Sequence, residues 1–455
     1  MGALYQGPGK FQPATLLLTG SRLPGSVPGM RLSSVATLVL LAVHAMGCSG
    51  LSATRPARDG AHEEMRRAML EDMRYGRLDR DAVADLARTV AEREISEAKG
   101  VEAVQRVQQA RACARELEDV LEQRSEGADK AAPLAAMALL LVDRGDPDAW
   151  RSHLTSMDPD WRAVAVRTLT TSEHGEPRRR AMLDHDQQVR RAAVQAAEKA
   201  MDPADRGALV DVARNDPDDL ARVTAVRALG WVATEQDVQA MRDLWPLAPA
   251  PVQQALVSAW AFPGTLERGG LRQVLWVAET HTGTPAIIAG GILLRLGGET
   301  RGAGLAALRK AVQDGVARDR AFAIAMAPIQ EPGWVEVLEK LGEEAEPSVR
   351  VAALEKLASY PKTAAAAREK LGRLAVSDRP GSAEARQAMA RVGDRRVLRL
   401  LLQDAKSPKR PVRESAMRSF LALEDVARAA FFLSDPDAGV RMGTACSLLS
   451  ASSRW

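Results

Sequence analysis

Aromatic residues, cysteines and net charge are all scarce in this chain of 455 residues. Phe, Trp and Tyr together make up 4%, and 62 Lys and Arg residues nearly balance 59 Asp and Glu residues, which leaves a formal net charge of +3. A dedicated nucleic-acid-binding protein is expected to be far more basic, so charge alone selects no partner. The three cysteines form no C-x-x-C pair and lie near no histidine at metal-ligand spacing, so no metal site is predicted.

Motifs of catalysis and nucleotide binding are also missing. The chain contains no G-x-x-x-x-G-K-[ST], G-x-G-x-x-G, G-x-S-x-G or H-E-x-x-H sequence. His185, between Asp184 and Asp186, looks like a metal-binding triplet, but it falls in a repeated helix-capping turn and is interpreted as part of that turn. We therefore predict no catalytic residue, no cofactor and no enzymatic activity.

An apolar stretch at residues 35–47 (VATLVLLAVHAMG) ends directly before Cys48. It is too short to span a bilayer comfortably, and its length and place are typical of the hydrophobic region of a signal peptide. Met30 and Arg31 supply a start and a positive charge before it. We predict that residues 1–29 are an over-extended, disordered start and that residues 30–47 are the signal peptide.

The sequence Ala45-Met46-Gly47-Cys48 resembles the lipobox of bacterial lipoproteins, although that family usually has Leu where Ala45 stands. The resemblance implies lipidation of Cys48, a linker over residues 48–60 and a lipid-anchored location in the bacterial cell envelope. By analogy with bacterial sorting, Ser49 favours the outer membrane. The alternative interpretation is a buried helix over residues 35–46 and an ordinary thiol at Cys48.

Residues 61–126 interleave charged and apolar residues at helical spacing and predict a helical segment. Asp79 is a plausible N-cap, and Gly76 and Gly100 are plausible helix ends. Cys113 in this segment is interpreted as a small core residue. The segment is predicted to precede a separate repeat array over residues 127–455.

One phrase recurs from residue 146 onward: an acid or Ser, often with Pro and a second acid, then Val-Arg, then Ala three residues and a large apolar residue seven residues after the Arg. The position of this Arg, which we call the repeat phase, falls at residues 162, 190, 222, 253, 287, 320, 350, 386, 413 and 441. The mean interval between these positions is 31 residues. The copies at Gln253 and Ile287 lack the Arg. A fixed period of this length indicates a repeat architecture.

The residue types of the phrase are those that favour the start of a helix. The first Asp or Ser accepts hydrogen bonds from free amides, Pro suits the first helical position, and the second acid favours the positive helix end. Where an acid stands four residues before the Arg, as at Asp158 and Arg162, we expect a pair within one helix. The residues predicted to be structural in this way are Asp158, Arg162, Asp186, Arg190, Asp218, Arg222, Glu346, Arg350, Arg413, Asp437 and Arg441.

The phrase and its period resemble the short HEAT-like repeats of phycobilin lyases, over residues 146–449. The resemblance implies an all-α fold, an α-solenoid of about ten helical hairpins whose second helices line a concave binding wall. In that family the equivalent acid and Arg commonly bridge adjacent repeats. In a stack of this kind each repeat contacts only its neighbours. We therefore expect Cys113 and Cys446 to be too far apart for a disulfide, and the last repeat to end in an uncapped apolar face.

Several residues are candidates for partner contact. The less regular middle of the array contains Trp231, Trp260, Trp276 and Trp334, which are predicted to line a binding groove. The arginine-rich stretches at residues 178–180, 190–191 and 406–413 are interpreted as solvated faces, with phosphate binding as the alternative.

Together these patterns predict a membrane-anchored scaffold of the bacterial envelope that binds a protein or peptide on its concave face without catalysis. Nucleic acid is disfavoured as a partner because aromatics are few and an export signal is present. The alternative prediction is a cytoplasmic HEAT-like protein that acts on nucleic acid or as a lyase. The sequence identifies neither the partner nor the oligomeric state.

Overall fold

A computed structural model describes residues 51–97 and 101–452. The predictions for residues 1–29 and 30–47, and for Cys48, lie outside this range. The first part of the described chain is helical, as expected. Its helices are α1 (Thr54–Asp59), α2 (His62–Arg74), α3 (Arg80–Ser96), α4 (Val101–Gln108), α5 (Arg111–Glu116), α6 (Glu118–Ser125) and α7 (Ala132–Leu141).

Ten helical hairpins follow, and the described residues contain no β-strand. The first helices of repeats 1–10 are α8 (Pro147–Arg151), α10 (Gly175–Ala181), α12 (Arg206–Asn215), α14 (Glu235–Asp243), α16 (Leu271–Thr280), α18 (Arg301–Asp314), α20 (Trp334–Leu341), α22 (Ala364–Ala375), α24 (Leu398–Asp404) and α26 (Val426–Ala430). The second helices are α9 (Pro159–Arg167), α11 (Gln187–Ala200), α13 (Asp219–Val232), α15 (Ala250–Trp260), α17 (Gly283–Leu296), α19 (Ala317–Met326), α21 (Pro347–Ala358), α23 (Ser382–Arg391), α25 (Arg410–Ala422) and α27 (Ala438–Ser452). The predicted all-α solenoid is confirmed.

The second helices begin at the recurring phrase as predicted, but its two acids accept different hydrogen bonds from those expected. The acid four residues before the Arg is the N-cap: Asp186 accepts from the amides of Gln188 and Val189, and Asp218 accepts from the amide of Ala221. The residue two places earlier accepts from the amide of that N-cap instead, as Asp216 does from Asp218. The reason is geometric, because only the N-cap residue can reach the free amides of the first turn.

The solenoid closes on itself. Each second helix from α9 to α27 contacts the next, α27 contacts α3, α4 and α5, these contact α6 or α7, and α7 contacts α9. Among the first helices, only α12 with α14 and α16 with α18 are in close contact. The second helices therefore line the concave side, where neighbours in a curved array come nearest.

Covalent and ionic bonds join the two ends of this circuit. Cys113 and Cys446 form a disulfide with Cα atoms 4.9 Å apart, although 333 positions separate them in sequence. Arg441 Nε donates to Glu94 Oε1 at 2.7 Å, and both side chains are buried. The expectation that the two cysteines are too far apart was wrong, because it assumed an extended rod. A small rotation at each repeat accumulates until the last repeat returns to α3.

The prediction of an uncapped apolar end was also wrong. Helices α3–α5 cover the last repeat, and one hydrophobic core contains residues of the amino-terminal segment together with residues of the later repeats, such as Leu86, Val104, Leu448 and Leu449. The amino-terminal helices therefore cover both ends of the array, as capping repeats would.

Part of the predicted linker over residues 48–60 belongs to the folded body. Its described residues form α1, which contacts α2 and α3, and Ala53 and Ala57 are fully buried. The buried carboxylate of Asp72 accepts from the amide of Ala53 at 3.2 Å and forms an ion pair with Arg77 at 2.8 Å. These contacts fix the chain from Leu51 onward against the rest of the protein. No helix in residues 51–97 or 101–452 has the length and apolar character needed to cross a bilayer.

Candidate functional site

The repeat arginines bridge neighbouring repeats. Arg162 donates through Nε and Nη2 to the carboxylate of Asp184 at 3.2 and 3.1 Å, and Arg413 donates to Asp435 in the same way at 2.7 and 2.8 Å. Equivalent pairs join Arg190 to Asp216, Arg320 to Glu344 and Arg386 to Asp404. In each case the Arg belongs to one repeat and the acid to the next, where it lies in the turn or, for Asp404, at the end of the first helix. Arg441 of the last repeat pairs with Glu94 of α3, which takes the place of an eleventh repeat.

The predicted pairs within one helix, such as Asp158 with Arg162, are wrong. Asp158 caps its helix through the amide of Asp160, so its carboxylate is already occupied. The remaining guanidinium nitrogen of Arg162 donates to the carbonyl oxygen of Ser156 at 2.8 Å. Arg222 and Arg350 differ again, since they donate to the carbonyl oxygens of Ala213 and Pro380 rather than to a carboxylate of the next repeat.

These bridges shift the titration of their members. Burial opposes ionisation of Asp184, yet the hydrogen bonds from Arg162 and from the amide of Asp186 lower its pKa below the usual value. The hydrogen bond to Asp216 raises the pKa of Arg190. Such perturbation can mark a catalytic site, but here every member is committed to a repeat interface. These contacts between repeats account for the shifted pKa values, and the structural role of the repeat residues stays a prediction.

Several arginines of the arginine-rich stretches are paired with acids, whereas Arg180, Lys406 and Lys409 are exposed. Arg178 is fully buried and pairs with Asp202 and Asp205, while Arg191 pairs with Asp218 and Arg410 with Asp437. For the paired arginines the interpretation as a solvated face is wrong, because the acids that neutralise them stand 24 to 27 residues away in sequence.

His185 does not belong to a metal site. The Asp184 carboxylate next to it is bound by Arg162, and Asp186 is the N-cap of α11. Within residues 51–97 and 101–452, no three His, Cys, Asp or Glu side chains are grouped as metal ligands.

Two of the four tryptophans predicted to line a groove are in the core. Trp260 is 0% and Trp334 is 1% exposed, so neither can contact a partner. Trp260 stands seven residues after the repeat phase, the position that fills the space between layers, and Trp334 begins a first helix. The groove prediction is wrong for both.

The other two tryptophans lie in separate places. Trp231 is 49% exposed and contacts Phe262, with the two ring centroids 4.5 Å apart and the rings tilted by 41°. Trp276 is half-buried beside Trp245, and the Arg242 guanidinium lies 3.9 Å from its ring centroid. The four residues therefore do not form one surface.

A different set of residues occupies the exposed side of the second helices. Five residues after the repeat Arg, four repeats have a second arginine: Arg167, Arg227, Arg391 and Arg418. In an α-helix this position lies about 200° from the buried positions at three and seven residues, so it faces away from the first helices. We call these four residues the concave arginine row.

Two arginines of the row connect consecutive second helices through hydrogen bonds to glutamates. Arg227 donates to Glu198 of the preceding second helix at 2.6 Å, and Arg391 forms two hydrogen bonds of 2.6 Å with Glu355. Arg418 is exposed and has no ion pair or side-chain hydrogen bond with any residue that the structure describes. The concave side thus carries more positive than negative groups along this row.

Two cations on this side are partly desolvated. Burial lowers the pKa of the Arg167 guanidinium, an effect that nearby Glu198 partly offsets. Burial also lowers the pKa of Lys356, whose Nζ donates to the carbonyl oxygen of Ala325 at 2.9 Å across two second helices. A desolvated cation attracts a carboxylate more strongly than one in open water does. This arrangement can bind an anion, and the sequence signal for it is the repeated arginine five residues after the phase.

The comparison with solved structures shows distant likenesses. No family model matches this chain, and no curated protein matches it. The crystal structure of Kap121p matches with a TM-score of 0.33 and 15% identity over 87% of this chain and 49% of that protein, and Kap121p bound to the extreme carboxyl terminus of the protein phosphatase Cdc14p matches with a TM-score of 0.34 and 15% identity over 84% and 50%. An engineered protein matches with a TM-score of 0.24 and 17% identity over 77% and 98%.

This chain therefore spans about half the length of Kap121p. Likenesses at these TM-scores carry no argument about function. The helical-repeat fold described above rests on the helices of this chain themselves.

Proposed function

We propose that this protein is a non-enzymatic scaffold that binds an acidic protein or peptide segment on its concave face. The concave arginine row is the observation that carries this proposal. A partner that presents several carboxylates would pair with Arg167, Arg418 and Lys356, which have no carboxylate bound directly. Arginine suits this task because its planar guanidinium binds a carboxylate through two hydrogen bonds.

The strength of such an interaction depends on desolvation. An exposed ion pair contributes only about 0–1 kcal/mol, so Arg418 alone would bind a carboxylate weakly. A hydrogen bond to a charged group out of water contributes roughly 1.5–3 kcal/mol. We therefore expect a partner that covers the row, and excludes water from several cations together, to bind far more tightly than a single acidic side chain.

We further propose that the protein is exported and lipid-anchored in the bacterial envelope through Cys48, after cleavage of residues 30–47. The lipobox resemblance supports the anchor. The disulfide between Cys113 and Cys446 supports export, because disulfides persist in oxidising compartments and are rare in the cytosol. The mean interval of 31 residues supports assignment of the repeats to the short HEAT-like class of phycobilin lyases, without implying lyase activity.

The binding proposal is tested by photocrosslinking in cells. A photoreactive amino acid replaces Arg418 on the concave row, or Lys310 on the exposed side of α18 as the control. We expect a crosslinked product of defined mass from position 418 only, and we expect Arg167→Glu to reduce its yield. Equal products from both positions, or a product that contains nucleic acid in place of protein, would refute the binding proposal.

The anchoring proposal has its own test. Labelling with radioactive palmitate should depend on Cys48 and disappear in Cys48→Ser, whereas Cys113→Ser should keep the label. A soluble cytosolic protein that binds DNA in a salt-sensitive manner would instead support the alternative function. Because the two tests use different residues and readouts, either proposal can fail while the other stands.

A further inference from the structure

A cavity of about 380 Å³ lies where α2 meets repeats 9 and 10. From its walls and its charges we infer that it binds a single-chain amphiphile with a carboxylate head, of which a fatty acid is the simplest example. This site is distinct from the concave row, and the inference does not depend on the proposed function. Its volume falls within the range of about 300–1,000 Å³ that is typical of ligand pockets.

The walls of the cavity are mostly apolar. The apolar lining residues are Leu70, Met73, Leu402, Ala405, Phe420, Phe431 and Phe432. Phe420 and Phe432 are buried, with ring centroids 6.2 Å apart, whereas Leu70 and Leu402 are 47% and 45% exposed. Large apolar side chains that stay exposed beside a buried aromatic floor mark a binding site for an apolar group. Burying them against an acyl chain would contribute about 25 cal/mol for each Å² removed from water.

Two uncompensated positive charges border this apolar space. Arg66 and Lys406 line the cavity, and neither side chain has an ionic or hydrogen-bonding partner among the residues that the structure describes. The other charged groups there are already paired, Arg428 with Asp425 and Asp435 with Arg413. Both side chains are exposed at the edge of the cavity, so a carboxylate bound beside the apolar wall would meet two cations that no acid occupies.

This combination favours an anionic amphiphile over other occupants. A neutral apolar molecule would leave Arg66 and Lys406 without a counter-charge. A folded protein partner needs about 800 Å² of surface on each side, whereas this site is a small concave pocket. A carboxylate at Arg66 and Lys406 with its chain against Leu70, Leu402 and the phenylalanines satisfies both features.

The test measures equilibrium binding of decanoate by calorimetry to the full chain carrying Cys48→Ser, so that no attached acyl group competes. We expect one decanoate to bind, and decanol, which has a similar chain without the charge, to bind at least about tenfold more weakly. This factor corresponds to the loss of one charge-assisted hydrogen bond. Equal binding of decanoate and decanol, or no binding of decanoate, would overturn the inference.

Variants locate the site. Lys406→Glu combined with Arg66→Glu should weaken decanoate binding at least about tenfold and leave decanol binding unchanged, while Lys362→Glu, at an exposed lysine on another turn, should change neither. Ala405→Trp should fill the cavity and abolish binding of both ligands, with a helical circular dichroism spectrum showing that the protein is folded. Unchanged decanoate binding in the doubly charge-reversed protein, or in folded Ala405→Trp, would place the ligand elsewhere and contradict the assignment. Binding of a peptide with a free apolar carboxyl terminus in place of decanoate would also overturn it.

Discussion

Removal of the disulfide between Cys113 and Cys446 should destabilise the protein without abolishing its fold. The bond spans 333 residues, and the loop-entropy relation gives an upper value of about 6 kcal/mol for a loop of that length. Measured disulfides usually contribute about 2–4 kcal/mol. We expect the lower range, because parts of a repeat array unfold separately and the cross-link constrains only the fully unfolded chain.

The native contacts at the closure should hold the ends together in the reduced protein. Arg441 and Glu94 are 7% and 4% exposed and joined by a hydrogen bond, and Arg410 lies within 3.5 Å of Glu102. The protein without the disulfide therefore keeps α27 packed against α3–α5, but this interface opens more often. Hydrogen exchange should increase first in α3 and α27 and remain low in α17 and α19, on the far side of the circuit.

The assay is urea unfolding of the wild type, with and without dithiothreitol, beside the double variant Cys113→Ser/Cys446→Ser. We expect reduction to lower the midpoint of the wild type and to leave the double variant unchanged. Cys48→Ser should behave as the wild type does in both conditions. Free thiols at Cys113 and Cys446 in the protein isolated from cells, or identical midpoints for oxidised and reduced wild type, would refute the closed circuit as described.

Other predictions concern single side chains. Arg413→Ala should lower the free energy of unfolding by about 3–5 kcal/mol, because it leaves the buried Asp435 carboxylate unpaired. The control Arg418→Ala, at an exposed side chain, should change it by less than about 0.5 kcal/mol. Similar urea midpoints for the two variants would contradict the bridge between Arg413 and Asp435. Because the pKa of Asp184 is lowered in the folded protein, its contribution to stability is present above the unfolded pKa and is lost as pH falls through the folded pKa. Asp184→Asn should therefore make the free energy of unfolding less dependent on pH below about pH 4. An unchanged dependence on pH would contradict this prediction. Trp260→Ala should cost about 3–5 kcal/mol and half-exposed Trp231→Ala much less, as thermal unfolding would show.

The amino-acid sequence determined the helices and the period of the repeat. These features depend on contacts within a few residues, such as the Asp186 cap of α11 and the buried residues Ala225 and Leu229 of α13. Their signals stand next to each other in the chain and recur in most of the repeats, so the fold class and the repeat period could be predicted. The arginines of the concave row share one position in four repeats, and a comparison of the residue five places after each repeat Arg would have found them.

The tertiary structure decided which residues meet. The partner of Arg162 is Asp184 rather than Asp158, because the nearer carboxylate caps a helix. The junction of Cys113 with Cys446 depends on curvature summed over ten repeats, and a small rotation at each step has no signature in any local stretch of sequence. The sequence therefore specified the repeating unit, and only the accumulated geometry closed the circuit.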